Sequence, residues 1–135
     1  MLKISTRCRY GMMAMAELAK NYKGEPLSAR EMFRRHHIPR FYLEQLLVKL
    51  RRAGLIESVR GPQGGFSLKK HPAKITIGEI ISSLEGPMDL VSCAGLGPAS
   101  SCRKIKNCLT RSIWLDLNAA INKVLKRKKL ADLIK

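Results

Sequence analysis

The chain has 135 residues, enough for one core of modest size and an appendage. Lys and Arg number 26 against 10 Asp and Glu, a formal charge of +16, and such a field favours a polyanion, nucleic acid above all. Aromatic residues make up only 5%, too few stacking platforms for single strands, so duplex DNA is the expected partner.

The apolar run Met12 to Ala16 is interrupted by Glu17 and Lys20 and has no cleavage site after it, and no stretch approaches a membrane span. The expectation is an intracellular protein of a reducing cytoplasm, on the nucleoid. There, four cysteines serve metal or redox chemistry rather than disulfides.

From Thr6 to Asn21, residues Tyr10, Met12, Met13, Met15, Ala16, Leu18 and Ala19 cover nearly the whole circumference of a helix, with Glu17 as the exception. That helix is expected to be largely buried, its methionines a core stripe rather than a metal box. Gly24-Glu25-Pro26 breaks it, and Ser28 with Glu31 forms a capping box that starts a second helix running to about His36. His36 and His37 suit helix-end carbonyls or DNA phosphate, and His71 carries no sharper signal.

The turn His37-Ile38-Pro39 leads into a helix from Arg40 to Ala53, with Leu43, Leu46, Leu47 and Leu50 on one face and Glu44, Gln45, Lys49 and Arg52 opposite. Two helices joined in this way form a helix-turn-helix, closed by Gly54 as a left-handed cap. Residues 55–60 and 66–68 read as two short strands around Gly61-Pro62-Gln63-Gly64-Gly65, the wing of a winged helix. That Gly-rich loop lacks G-K-[ST] and is no P-loop. No hydrolase or transferase constellation is present, and the protein is not expected to be an enzyme.

Thr76 and Glu79 form a second capping box, opening a helix to about Leu84 that ends at Gly86-Pro87. A last helix, from about Leu109 to Lys126, carries Ile113, Leu117, Ala120, Ile121 and Val124 on one stripe. Little chain remains to cover that stripe, so a second copy is the expected partner. The organisation is thus a winged helix-turn-helix DNA-binding region over 1–88, a cysteine loop over 89–108, and a dimerisation helix with its tail over 109–135. The fold class is mainly α, with a two-stranded β wing and a long C-terminal dimerisation helix.

Cys93, Cys102 and Cys108 follow one another as C-x8-C-x5-C in a Gly/Ser/Lys-rich stretch, Leu90 to Asn107, with few residues able to build a core. Zinc sites use short C-x2-4-C pairs, whereas three well-separated thiolates on one loop are typical of iron-sulfur ligation. An iron-sulfur cluster, 2Fe-2S or 4Fe-4S, is therefore favoured over zinc. A thiol-disulfide switch and cysteines with no cluster are the alternatives. Arg103, Lys104, Lys106 and Arg111 crowd the loop, lowering thiol pKa values and offsetting thiolate charge, or else adding phosphate contacts.

On DNA, the first turns of the recognition helix belong in the major groove, where Glu44 can accept from cytosine N4 and Gln45 can pair with adenine. Arg40, Tyr42, Lys49 and Arg51 suit phosphate contacts that set register. Gly64 and Gly65 let the wing backbone approach the sugar-phosphate edge, with Arg60 near the minor groove. For Glu44, a merely solvated face is an equal alternative.

The segments Tyr42-Leu43-Glu44-Gln45-Leu46-Leu47, Leu50-Arg51-Arg52-Ala53-Gly54-Leu55 and Ser58-Val59-Arg60-Gly61-Pro62-Gln63-Gly64-Gly65-Phe66 closely resemble the Rrf2 family of bacterial transcription regulators. The likeness extends to Arg9-Tyr10-Gly11, Leu84-Glu85-Gly86-Pro87, Trp114 and Leu130-Ala131-Asp132-Leu133. The resemblance implies a homodimer on a palindromic operator. It also implies a cluster held by cysteines at the places of Cys93, Cys102 and Cys108, as in the iron-sulfur branch that senses cluster status, iron or nitric oxide.

Two departures stand out. The first cysteine gap is eight residues where cluster-biogenesis regulators often have five, and the position where some relatives carry a histidine ligand is Arg111. A guanidinium cannot ligate iron. Some relatives recruit a fourth ligand from the partner's first helix, which makes Cys8 a candidate, although their acidic residue aligns with Arg9; the plainer role for Cys8 is a buried small residue. The expected function is a homodimeric transcription regulator whose operator affinity follows an iron-sulfur cluster. A cluster-free regulator of thiols or a metabolite, or an electron-carrying redox protein, is the alternative.

Overall fold

The computed structural model describes residues 3–94 and 102–135. The middle of the cysteine loop, including Gly95-Leu96-Gly97-Pro98, lies outside the described residues. Helix α1 spans Thr6–Lys20, α2 Ala29–His36 and α3 Arg40–Arg52. Strands β1, Ile56–Val59, and β2, Gly65–Leu68, pair antiparallel with Ile56 opposite Leu68 and Val59 opposite Gly65. Helix α4, Ile77–Glu85, and α5, Arg111–Arg127, follow. The mainly helical winged-helix fold expected from the pattern is the one observed.

Local chemistry sets the boundaries. Ser5 caps α1 through its hydroxyl on the Cys8 amide, 3.0 Å, and Thr76 with Glu79 makes a complete reciprocal capping box on α4. At α2 only half of the expected box forms. Ser28 accepts from the Glu31 amide, while the Glu31 carboxylate goes to Arg34 and Arg35. Helix α3 ends in a Schellman motif, with Gly54 at φ 76°, its amide on Arg51 and the Leu55 amide on Leu50.

The core is built from one face of each of the first four helices. Met15 and Leu18 of α1, Met32 of α2, Leu43, Leu46, Leu47 and Leu50 of α3, and Ile80 and Leu84 of α4 are all buried. Gly11 lets α1 and α4 approach, since a Cβ there would run into Leu84. The periodicity reading fails at two neighbouring points of α1. Met13 is 43% exposed, and Glu17 is only 7% exposed because α2 supplies its partners.

Leu27 adds a third strand-like residue to the sheet, exchanging backbone hydrogen bonds with Phe66 at 2.9 and 2.8 Å. The segment after α5 returns to the winged-helix body. Lys129 bridges Thr76, the Leu130 amide donates to Ile75, and Leu130 is fully buried. The C-terminal end of α5 is therefore tied down, yet Ile113, Leu117 and Val124 stay exposed along the helix. Among the described residues, no helix is long and apolar enough to cross a membrane.

Candidate functional site

With four leucines of α3 turned into the core, the opposite line of the helix is Phe41, Gln45, Val48 and Arg52, spaced at i, i+4, i+7 and i+11. Phe41 and Gln45 are exposed, and Arg7 of α1 lies beside this face, lining a shallow cleft with Gln45, Val48, Lys49 and Arg52. The candidate DNA contacts divide between this line and its two flanks.

On the wing side stand Arg40, Glu44 and Arg51. Arg40 and Glu44 pair at 3.4 Å with both side chains largely exposed, a geometry that leaves each free to exchange partners. Arg51 reaches Ser58 of β1 at 3.3 Å, so the helix and the wing share one surface. Arg60 is exposed just beyond β1.

On the other flank, Tyr42 and Lys49 are partly used inside the protein. Tyr42 is half-buried, edge-on to Tyr10 with ring centroids 5.7 Å apart. The Lys49 ammonium donates to the Leu84 carbonyl at 3.3 Å, near the end of α4. That carbonyl is one a helix end leaves unsatisfied, and a cation there also suits the dipole.

The two wing glycines have a reason internal to the fold. A Cβ at Gly64 would collide with the Val59 carbonyl across the hairpin, and one at Gly65 would meet the backbone of Leu27 and Ser28. Gly61, at φ 118°, makes the turn and accepts from the Gly64 amide at 2.9 Å.

The start of the cysteine loop is anchored to α5. Leu90 donates its amide to Asn118, 3.1 Å, and Asn118 is the buried polar residue of that helix. Arg111, at the first turn of α5, donates to the Cys93 carbonyl at 3.3 Å. Cys108 lies 3.5 Å from the Thr110 hydroxyl. That hydroxyl, the Thr110 and Arg111 amides and the Lys104 charge hold the Cys108 thiol below its ordinary pKa. Cys93 is half-buried and Cys102 exposed.

Cys8 differs from these three. It is 3% exposed on the core side of α1, and burial, with the Glu85 charge second, pushes its thiol pKa up. Among the described residues no three His, Cys, Asp or Glu side chains are gathered as a metal site. Among the described residues of one chain, then, Cys8 forms no such group with the loop cysteines.

Sequence reasoning placed Arg52 on the face opposite the leucines but missed Phe41 and Arg7 as part of that exposed face, and Asn118 as an anchor. The helical wheel of α3 carried the signal for Phe41. Asn118 gave none, since its partners lie 28 and 29 residues away.

Comparison with known proteins agrees with this geometry. Residues 4–135 match the Rrf2 family model, described as an iron-dependent transcriptional regulator. The HTH-type transcriptional regulator IscR of Escherichia coli is 35% identical over 133 residues, covering 98% of this chain and 80% of the relative. Among solved structures, CymR (YrzC), the global cysteine regulator of B. subtilis, superposes with a TM-score of 0.81 at 38% identity, covering 99% of this chain and 97% of that one. T. potens IscR gives 0.79 at 36%, covering 98% and 86%. The winged helix and a match over nearly the whole length place this chain in the Rrf2 family of DNA-binding transcription regulators.

Proposed function

We propose that this regulator binds a palindromic duplex operator as a homodimer, with an affinity set by an iron-sulfur cluster on Cys93, Cys102 and Cys108. The observation that carries the reading is that Arg111 and Thr110, at the start of α5, hold Cys93 and Cys108 respectively. Order in the loop is thereby coupled to the helix whose exposed Ile113, Leu117 and Val124 offer a face to a second copy.

The donor chemistry fits such a group: three thiols on one loop, one with its thiolate already favoured, among surplus cations. When bound, the cluster would supply a redox- and iron-sensitive crosslink of the loop. The chain's own residues do the rest. Asn118 and Arg111 fix the start of the loop at Leu90 and Cys93, Thr110 meets Cys108 at its end, α5 transmits the loop's position to the partner, and α3 with the wing meets DNA in half-sites about 34 Å apart. Gln45 and Glu44 face base edges, while Arg40, Arg51, Arg52 and Arg60 face phosphates. Lys49 and Tyr42 act more through packing than was expected of them.

The fourth ligand comes from outside the loop. Cys8 of the partner is the candidate that the resemblance offers, and the burial of Cys8 supports a packing role instead. The test is the iron and sulfide content, with visible absorption, of anaerobically purified protein and its single serine variants. Loss of both elements in C93S, C102S and C108S, with the dimer retained, supports the site; full content in all three overturns it. An unchanged spectrum in C8S assigns Cys8 to the core.

A second reading has its own observation. The lowered Cys108 thiol would equally serve a cluster-free, thiol-responsive regulator, and the similar CymR is a global cysteine regulator. Stoichiometric zinc, or no metal and a reversible disulfide, would favour it.

A further inference from the structure

Phe41, the second residue of α3, has 75% of its surface exposed. Among the described residues only Leu109, at 96%, shows a large apolar side chain more openly. Its nearest neighbours on the helix surface are polar or cationic, Arg40 beside it and Gln45 one turn on, with the half-buried Val48 and then Arg52 further along the same line. An apolar ring in water on a basic face is unfavourable in the free protein and gains only when something covers it.

The chemistry of the covering surface follows from where α3 goes, which rests on the major-groove reading above. Base edges in that groove are lined with hydrogen-bond donors and acceptors, and their one apolar feature is the thymine C5 methyl group. Phe41 stands about 6 Å along the helix from Gln45, four residues at 1.5 Å, or about two base steps. The two side chains therefore address different bases of one half-site. We infer that Phe41 is a specificity-determining residue that packs on a thymine methyl group in each operator half-site, about two base steps from the base met by Gln45.

The test uses full-length protein and duplexes selected from a randomised pool. Each thymine of the preferred half-site is replaced in turn by deoxyuridine, which removes only the methyl group, and affinities are measured for wild type, Phe41→Ala, Phe41→Leu and Gln45→Ala. Wild type should lose about fourfold in affinity per half-site at one thymine, the effect of withdrawing one methyl group from an apolar contact. Phe41→Ala should bind more weakly and show no uracil penalty there, and Phe41→Leu should keep part of it. The absence of any methyl-sensitive thymine, or a full penalty surviving in Phe41→Ala, overturns the proposal. Gln45→Ala separates the two levels: relaxed base preference in that variant upholds the major-groove reading whatever Phe41 does. Unchanged preference, or no preferred sequence from the pool, overturns both.

Discussion

The Glu17 carboxylate on α1 accepts a hydrogen bond from Arg35 of α2 at 2.8 Å, with His36 Nε2 3.1 Å from its other oxygen. Two consecutive residues at the end of the first helix of the helix-turn-helix are thus fastened to one buried acid, fixing where α3 begins.

Glu17→Ala should therefore destabilise the fold by about 1–2 kcal/mol, because it strands both partners while Arg35, 40% exposed, recovers some solvation. Urea denaturation measures it. Burial would raise the Glu17 pKa, but the Arg35 hydrogen bond, the close approach of His36 and the Lys20 charge bring it below the ordinary value. A depressed carboxylate contributes stability above its unfolded pKa and loses it as pH falls through the folded one. Wild type should lose more stability on acidification than Glu17→Gln.

The α3 surface predicts a division of labour. Arg52→Ala should weaken binding to all duplexes and make the salt slope shallower by about 0.9. Gln45→Ala should relax preference at one base by about 1–3 kcal/mol. Lys49→Ala should act mainly on stability, by about 0.5–1.5 kcal/mol, through the lost contact with Leu84. Fluorescence anisotropy over a salt series distinguishes these outcomes.

Much of this surface could be read from the chain, since Leu43, Leu46, Leu47 and Leu50 mark the buried side of α3 and Gly54 its end. The flanks could not. Tyr42 and Lys49 look like any exposed polar residues until Tyr10 and Leu84 are brought alongside by folding. Glu17 was misplaced for the same reason, because a period-3.6 pattern treats every charge as solvated and its partner lies 18 residues away. The bridge from Thr76 to Lys129 joins segments whose pairing no local pattern announces. The spacing of the loop cysteines carried an expectation about chemistry, while the anchoring of the loop by Arg111 and Asn118 could not be read from it.

In protein freed of iron, Cys108 should alkylate at lower pH than Cys8, since one thiol is exposed to donors that favour its thiolate and the other is buried. Iodoacetamide labelling followed by peptide mass spectrometry over a pH series reads this directly. Thr110→Ala should move the Cys108 profile upward. Equal labelling of both cysteines would contradict the placement of Cys8.

Gly65→Ala should lower stability by about 1–3 kcal/mol, because the new methyl group overlaps the backbone of Leu27 and Ser28 and pushes the wing off α2. Gly61→Ala has open space but a strained φ of 118°, so its effect should come from the turn alone. Thermal midpoints of the two variants compare these costs.

The most direct test of the central claim is the operator affinity of anaerobically purified protein against that of Cys102→Ser, on one duplex at one salt concentration, with iron and sulfide determined on the same samples. The account predicts iron and sulfide in the wild type, neither in the variant, and dissociation constants that differ by about tenfold or more, a coupling of about 1.4 kcal/mol. Equal affinities, or equal iron and sulfide in both proteins, would contradict it.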